Sequence, residues 1–160
     1  MAVDMFLKIQ DVKGESVDSK HKDEIDILAW SWGCTQSGTT HAGRGGGAGK
    51  VSVQDVSVTK WVDSATPTLL KMCCNGKHFK KAELFVRKAG EKPLEYVKIT
   101  MEDGLISSVS TGGSGGEDRL TENDTLNFAK VEYTYEQQKE DGSSAGKFPI
   151  KWNIATNSES

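Results

Sequence analysis

A mainly antiparallel all-β domain with one short flanking α-helix is the architecture this sequence predicts, and three observations carry it. Apolar residues recur at every second position along most of the chain, the period of a strand with one buried face. Seven or eight such segments fit into 160 residues, which suits a single barrel or sandwich. One segment, from Ser64 to Gly76, carries helix punctuation instead.

Taken in order, the first strand holds Met5, Leu7 and Ile9 between polar neighbours. Ile25 to Trp32 is apolar on both phases, Ile25, Ile27 and Ala29 on one and Leu28, Trp30 and Trp32 on the other, the pattern of a strand buried on both sides. Val51 and Val53 share a phase that Val56 and Val58 do not, so a slip falls between Gln54 and Asp55. It predicts a bulge, or a strand that serves two surfaces in succession. The helix follows: Ser64 or Thr66 as cap, Pro67 in the first turn, Leu69, Met72 and Cys73 as the apolar stripe, Gly76 as the stop. Further strands read at Ala82 to Arg87, Tyr96 to Met101, Leu105 to Val109, Leu126 to Tyr135 and Lys147 to Ile154, with a turn at Glu102 and Asp103 before Gly104. The Leu126 strand slips too, Leu126 and Phe128 giving way to Ala129, Val131, Tyr133 and Tyr135. The whole chain, 1–160, reads as one domain whose polar end, from about 155, is expected to be a flexible tail.

Composition narrows the function classes. Hydrophobic residues at 36% and charged ones at 27% suit a globule. Twenty Lys and Arg against twenty-three Asp and Glu, interleaved in sign, give −3 and no electrostatic footprint for nucleic acid or anionic lipid. No apolar run nears the roughly 18 to 20 residues of a membrane span, so no membrane insertion is expected, and no signal peptide is legible. Cys34 and the adjacent Cys73 and Cys74 favour a reduced folding compartment.

The motifs that suggest chemistry fail on context. Gly43 to Lys50 reads GRGGGAGK, but Arg44 stands where a phosphate loop needs its first glycine, Val51 follows the lysine, and a strand rather than a helix comes next. His21, His41 and His78 lie far apart without ligand spacing and read as surface or loop residues, so no metal is expected. Cys73 sits on the apolar stripe as a small hydrophobe. Glu102 and Asp103 are solvated turn acids, and Asn123-Asp124-Thr125 is an accidental sequon in a capping or turn-like stretch. With no cofactor motif and no nucleophile, base or metal set, the sequence points away from an enzyme.

It offers surface instead. Ten of the seventeen glycines fall in two loops, six between Gly38 and Gly49 and four between Gly112 and Gly116. Gly45, Gly46 and Gly47 would let the backbones of neighbouring copies approach closely. On the second strand, Trp30 and Trp32 share a phase, so Ser31 points the other way. A strand apolar on both phases also predicts a closed cyclic oligomer.

Longer stretches carry a resemblance. MAVDMFLKI at Met1 to Ile9, DVKGES at Asp11 to Ser16, EIDILAWSWG at Glu24 to Gly33, GGGAGKVSVQDVSVTKW at Gly45 to Trp61, GKHF at Gly76 to Phe79 and VRKAG at Val86 to Gly90 appear in sequence. ISSVSTGGSGGEDRLTENDTLNFAKVEYTY from Ile106 to Tyr135 and KWNI at Lys151 to Ile154 complete them. Together they resemble the haemolysin-coregulated protein (Hcp) family over essentially the whole chain. The resemblance implies a β-barrel-like protomer with one flanking helix, assembling into hexameric rings. The stacked rings would form the inner tube of a type VI secretion machine. Effector proteins would ride in the lumen. With that architecture, the alternation that turns Ser31 away from Trp30 and Trp32 puts it either on the lumen wall or in a tight subunit contact, and Gly45, Gly46, Gly47 and Gly90 are expected at subunit or ring contacts. Its partners would be further copies, the effectors, the spike protein and the contractile sheath. The protein would be cytoplasmic before firing and then secreted without a cleaved signal peptide. Arg44, the Cys73-Cys74 pair and Thr156 to Ser160 match no family pattern. The alternative from another class is a monomeric β-barrel that binds a small ligand.

Overall fold

Alternating burial along antiparallel strands dominates the computed structural model, which describes residues 3–38, 41 and 49–159. The strands are β1 (Val3–Ile9), β2 (Ile25–Ser31), β3 (Cys34–Thr35), β4 (Ser52–Val53), β5 (Val56–Trp61), β6 (His78–Lys88), β7 (Leu94–Thr111), β8 (Thr121–Gln138) and β9 (Ser144–Asn153). The helix, α1 (Thr66–Asn75), lies between β5 and β6. Strand order is β5-β2-β1-β6-β7-β8-β9, and β5 also pairs with β8. Six strands therefore close into a barrel, and β9 hangs on its outside. β3 and β4 form a separate two-stranded sheet.

The barrel interior is packed with side chains. Ile25, Val56, Leu84, Ile99, Met101 and Leu126 are completely or almost completely buried, and α1 closes against β7 with Leu69 and Met72 inward. Pro67 stands in the first turn and Gly76 ends the helix in the left-handed region at φ 65°, a conformation glycine adopts without a Cβ penalty. The start differs from the expected Ser64 or Thr66 cap: Ala65 is the N-cap residue and provides no side-chain cap. Asp63 serves the entry instead, its Oδ1 accepting from the Ala65 N–H at 2.9 Å while Thr66 Oγ1 accepts from the Asp63 N–H at 3.1 Å.

Three phase anomalies have three different causes. In β2, Ile27 is opposite Lys60 and Ala29 opposite Thr59, so Leu28 is a bulge. The one core face passes from Ile25 and Ile27 across the bulge to Trp30 and Trp32, while Leu28 is 39% exposed. The expectation of two-sided burial is corrected: a one-residue insertion shifts alternation by one without adding a second buried face. Val53 and Val56 belong to different strands in different sheets, so the slip is neither a bulge nor one strand serving two surfaces but a break between β4 and β5. In β8 the inward phase runs from Glu122 to Phe128 and resumes at Val131 where β9 has replaced β5 as neighbour.

The turn expected at Glu102 and Asp103 is absent. β7 runs through it, because β6 and β8 both continue on either side and hold Glu102 and Gly104 in register. Asp103 absorbs the irregularity at φ 53°. Gly104 is needed there, since a Cβ would collide with the Phe79 ring and the Asn127 carbonyl. Asn123-Asp124-Thr125 likewise is no turn but part of β8, with Asp124 buried.

Candidate functional site

The barrel presents an outward sheet face built almost entirely of small polar side chains. Registers define two rows across four strands: Ser31, Ser57, Thr125 and Ser108 in one, Ala29, Thr59, Asn123 and Ser110 in the other. Residues directly opposite each other share a face, and alternation puts this face opposite the buried Val56, Val58 and Leu126. Hydrogen bonds run along the rows, Thr59 Oγ1 donating to Asn123 Oδ1 at 2.7 Å and Ser108 and Thr125 hydroxyls meeting at 2.6 Å. At the margin Asp55 accepts from Ser107 at 2.6 Å and from Asn127 at 2.8 Å. The result is a flat surface, rich in hydroxyls, with little side-chain bulk.

A second surface is its chemical opposite. Because β8 leaves β5 after Leu126 and continues beside β9, the core-facing side of the sheet emerges from the barrel uncovered. Val131 opposite Trp152, Tyr133 opposite Ile150 and Tyr135 opposite Phe148 form that side. Phe148 is 58% and Ile150 59% exposed, and the Tyr135 and Phe148 rings stack with centroids 6.3 Å apart. Trp32, Val51, Val53, Val131, Ile150 and Trp152 line an adjoining groove of about 300 Å³. The reverse side of β8 and β9 is charged, with Glu132 and Lys151 4.0 Å apart. β9 is thus an edge strand with one apolar face, the combination that invites pairing or packing.

Two buried polar clusters have no counterpart in the sequence reading. His21 is 4% exposed rather than a surface residue. Its ring stacks on Phe6 with centroids 4.4 Å apart, meets Phe85 at 4.7 Å, and contacts carboxylates of Glu24 and Glu95 through its two nitrogens. Beside it, the Arg87 guanidinium takes Asp18 at 2.5 Å and Asp4 at 3.1 Å and lies 5.1 Å over the Phe6 ring. Hydrogen bonding from Arg87 holds the Asp18 carboxyl well below the usual range, and burial pushes Glu24 up. This clasp pins the loop between β1 and β2 to the outside of the barrel. The other cluster, around Lys60, lies within the barrel wall. Sequence spacing signalled neither, since Arg87 is 69 residues from Asp18, and it meets Asp4 through the β1–β6 register and Asp18 through the fold of the loop between β1 and β2.

Ser31 is exposed on the outward polar face, on the opposite phase from Trp30 and Trp32. Gly90 is exposed with open space where a Cβ would stand. Gly45, Gly46 and Gly47 lie outside the described residues. Cys34, Cys73 and Cys74 are free thiols. No helix among the described residues is long and apolar enough to cross a membrane.

Comparison with known proteins places these features in context. The model of a family described as type VI secretion system effector, Hcp, matches residues 6–135. Protein hcp1 of Pseudomonas aeruginosa is 60% identical over 160 residues, 98% of each chain. A solved structure described as a type six secretion system protein superposes with a TM-score of 0.93 at 30% identity, covering 99% of this chain and 100% of its own. The crystal structure of Hcp1 from Salmonella typhimurium superposes with a TM-score of 0.80 at 35% identity, covering 100% of both chains.

Proposed function

The chain belongs to the Hcp family of type VI secretion proteins, and from that premise we propose that it is a non-enzymatic tube subunit whose copies close into hexameric rings, stack, and carry effector proteins in the lumen. The observation that carries the reading is the uncovered apolar side of β9. Phe148, Ile150 and Tyr135 continue the core face of the sheet into solvent, and a neighbouring copy is the simplest cover for it. The hydroxyl-rich face around Ser31 suits a lumen wall. Small neutral side chains leave room for a guest, offer hydrogen bonds, and bring no bulky head group that must be desolvated. The ring would be filled in the cytoplasm and expelled through the contractile sheath behind the spike. Gly45, Gly46, Gly47 and Gly90 are assigned to contacts between subunits or rings.

The alternative, a monomeric barrel holding a small ligand, has to contend with an interior filled by Ile25, Val56, Ile99, Met101 and Leu126. Light scattering on the purified protein separates the two. A mass several times 17.4 kDa at micromolar concentration supports the ring, and a stable monomer overturns it.

A further inference from the structure

Three buried oxygens without a hydrogen-bond partner among the described residues converge inside the barrel: Oε2 of Glu122 and both carboxyl oxygens of Asp124. Each of these residues is 1% exposed, and two positions apart on β8 they point to the same side of the sheet. Glu122 is opposite Lys60 and Asp124 opposite Val58 across the β5–β8 pairing, the seam that closes the barrel. On the other flank β7 sets Val109 against Asp124 and Thr111 against Glu122, and β2 sets Ile27 against Lys60. The charged groups facing the pair are therefore Lys60 from β5 and Asp63 from the approach to α1.

Lys60 cannot satisfy Asp124. Its completely buried ammonium contacts Glu122 Oε1, donates to Asp63 Oδ1 at 2.8 Å and the Trp61 carbonyl at 2.8 Å, and reaches Thr66 Oγ1 at 3.2 Å. Thr66 Oγ1 in turn lies 3.0 Å from Glu122 Oε1. Every donor is directed at acceptors other than Asp124. If Asp63, Glu122 and Asp124 were all ionised, three negative charges would share one positive charge out of reach of water, a costly arrangement. One proton on Asp124 removes a charge and creates an O–H. Donated to Glu122 Oε2, it satisfies two of the three orphan oxygens at once.

We propose that Glu122 and Asp124 form a proton-binding site inside the barrel, with Asp124 held as the neutral acid and donating its O–H to Glu122, so that closing the β5–β8 seam takes up one proton. Burial above all, then the Glu122 charge, push the Asp124 carboxyl up to about 7 against the opposing pull of Lys60. The unfolded chain would hold it near about 3.9. A carboxyl raised on folding stabilises fully below the unfolded value and loses that contribution as pH rises through the folded one. The seam accordingly loosens progressively as pH rises from about 4 towards 7, where this contribution is spent.

Infrared spectroscopy of the full chain tests this directly. At about pH 6, where ordinary aspartates are ionised, the wild type should show a protonated-carboxyl C=O band that Asp124→Asn lacks and that fades as pH passes about 7. In urea titrations from about pH 5 to pH 8, the folding equilibrium constant of the wild type should fall close to tenfold per pH unit, relative to Asp124→Asn, as pH rises towards 7. Glu122→Gln, which removes the neighbouring charge, should move the midpoint of the band downwards. Absence of the band at about pH 6, or its survival in Asp124→Asn, overturns the proposal. Should Asp124→Asn fail to fold, the wild-type band and the direction of the Glu122→Gln shift still decide, and neither depends on whether the protein forms rings.

Discussion

Replacing Phe148 with serine asks whether copies meet on the apolar side of β9. An aromatic side chain of this kind covers about 200 Å², and 58% of Phe148 remains exposed. A neighbouring copy could therefore cover about 115 Å² more, worth about 3 kcal/mol at 25 cal/mol per Å². That corresponds to a roughly hundredfold weaker contact in Phe148→Ser. The covered remainder, stacked on Tyr135, supports the lone chain as well, and losing it costs at most about 2 kcal/mol, concentrated in an edge strand that the closed barrel does not need. The variant should keep its far-ultraviolet circular dichroism while its assemblies dissociate at concentrations where the wild type stays intact, measured by analytical ultracentrifugation across a dilution series. A wild-type dissociation midpoint in a folded Phe148→Ser protein would refute the reasoning, because no partner could then be packing on this ring.

Other perturbations probe the remaining links. Gly104→Ala forces a methyl into the Phe79 ring and the Asn127 backbone, so urea denaturation should show a loss of about 1 to 3 kcal/mol or more from overpacking. Leu84→Ala, at a fully buried barrel position, should cost about 2 to 5 kcal/mol in the same assay. Arg87→Met leaves the largely covered Asp18 carboxylate without its partner, while the half-exposed Asp4 can turn to water, and should cost about 1 to 3 kcal/mol near neutrality, below the range for a fully buried pair because Asp18 retains some exposure. Since Asp18 is held below its ordinary value, the stability it contributes is present above about pH 4 and is lost as pH falls further, so the gap between wild type and variant should narrow there. Ser31→Gln should preserve rings and reduce retention of a co-expressed effector; loss of the ring itself would assign Ser31 to a subunit contact instead.

The strands and the helix were legible because their signals are local. Alternation at Met5, Leu7 and Ile9, and Pro67 with Gly76, act within a few residues and survive whatever packs around them. The direction of Ser31 was legible for the same reason, being tied to the phase of Trp30 and Trp32. Phase slips were visible too, but not their causes. A bulge at Leu28, a change of sheet between Val53 and Val56, and a change of neighbour along β8 leave the same mark in sequence, since each moves the apolar phase by one.

Sequence by itself thus determined the all-β class, the helix, the lack of a recognisable catalytic motif and the family to which the chain belongs. Only the tertiary structure decided which strands share a wall. That pairing turned His21 from a surface histidine into the centre of a clasp with Glu24 and Glu95, and an accidental sequon into a buried carboxyl facing Glu122. It also left β9 outside the closed barrel with its apolar side bare. The physical reason is common to all three: burial, charge and hydrogen-bond satisfaction depend on neighbours far away along the chain, as Asp4 is 83 residues from Arg87, and strand register, which no short window of residues contains, sets many of those neighbours.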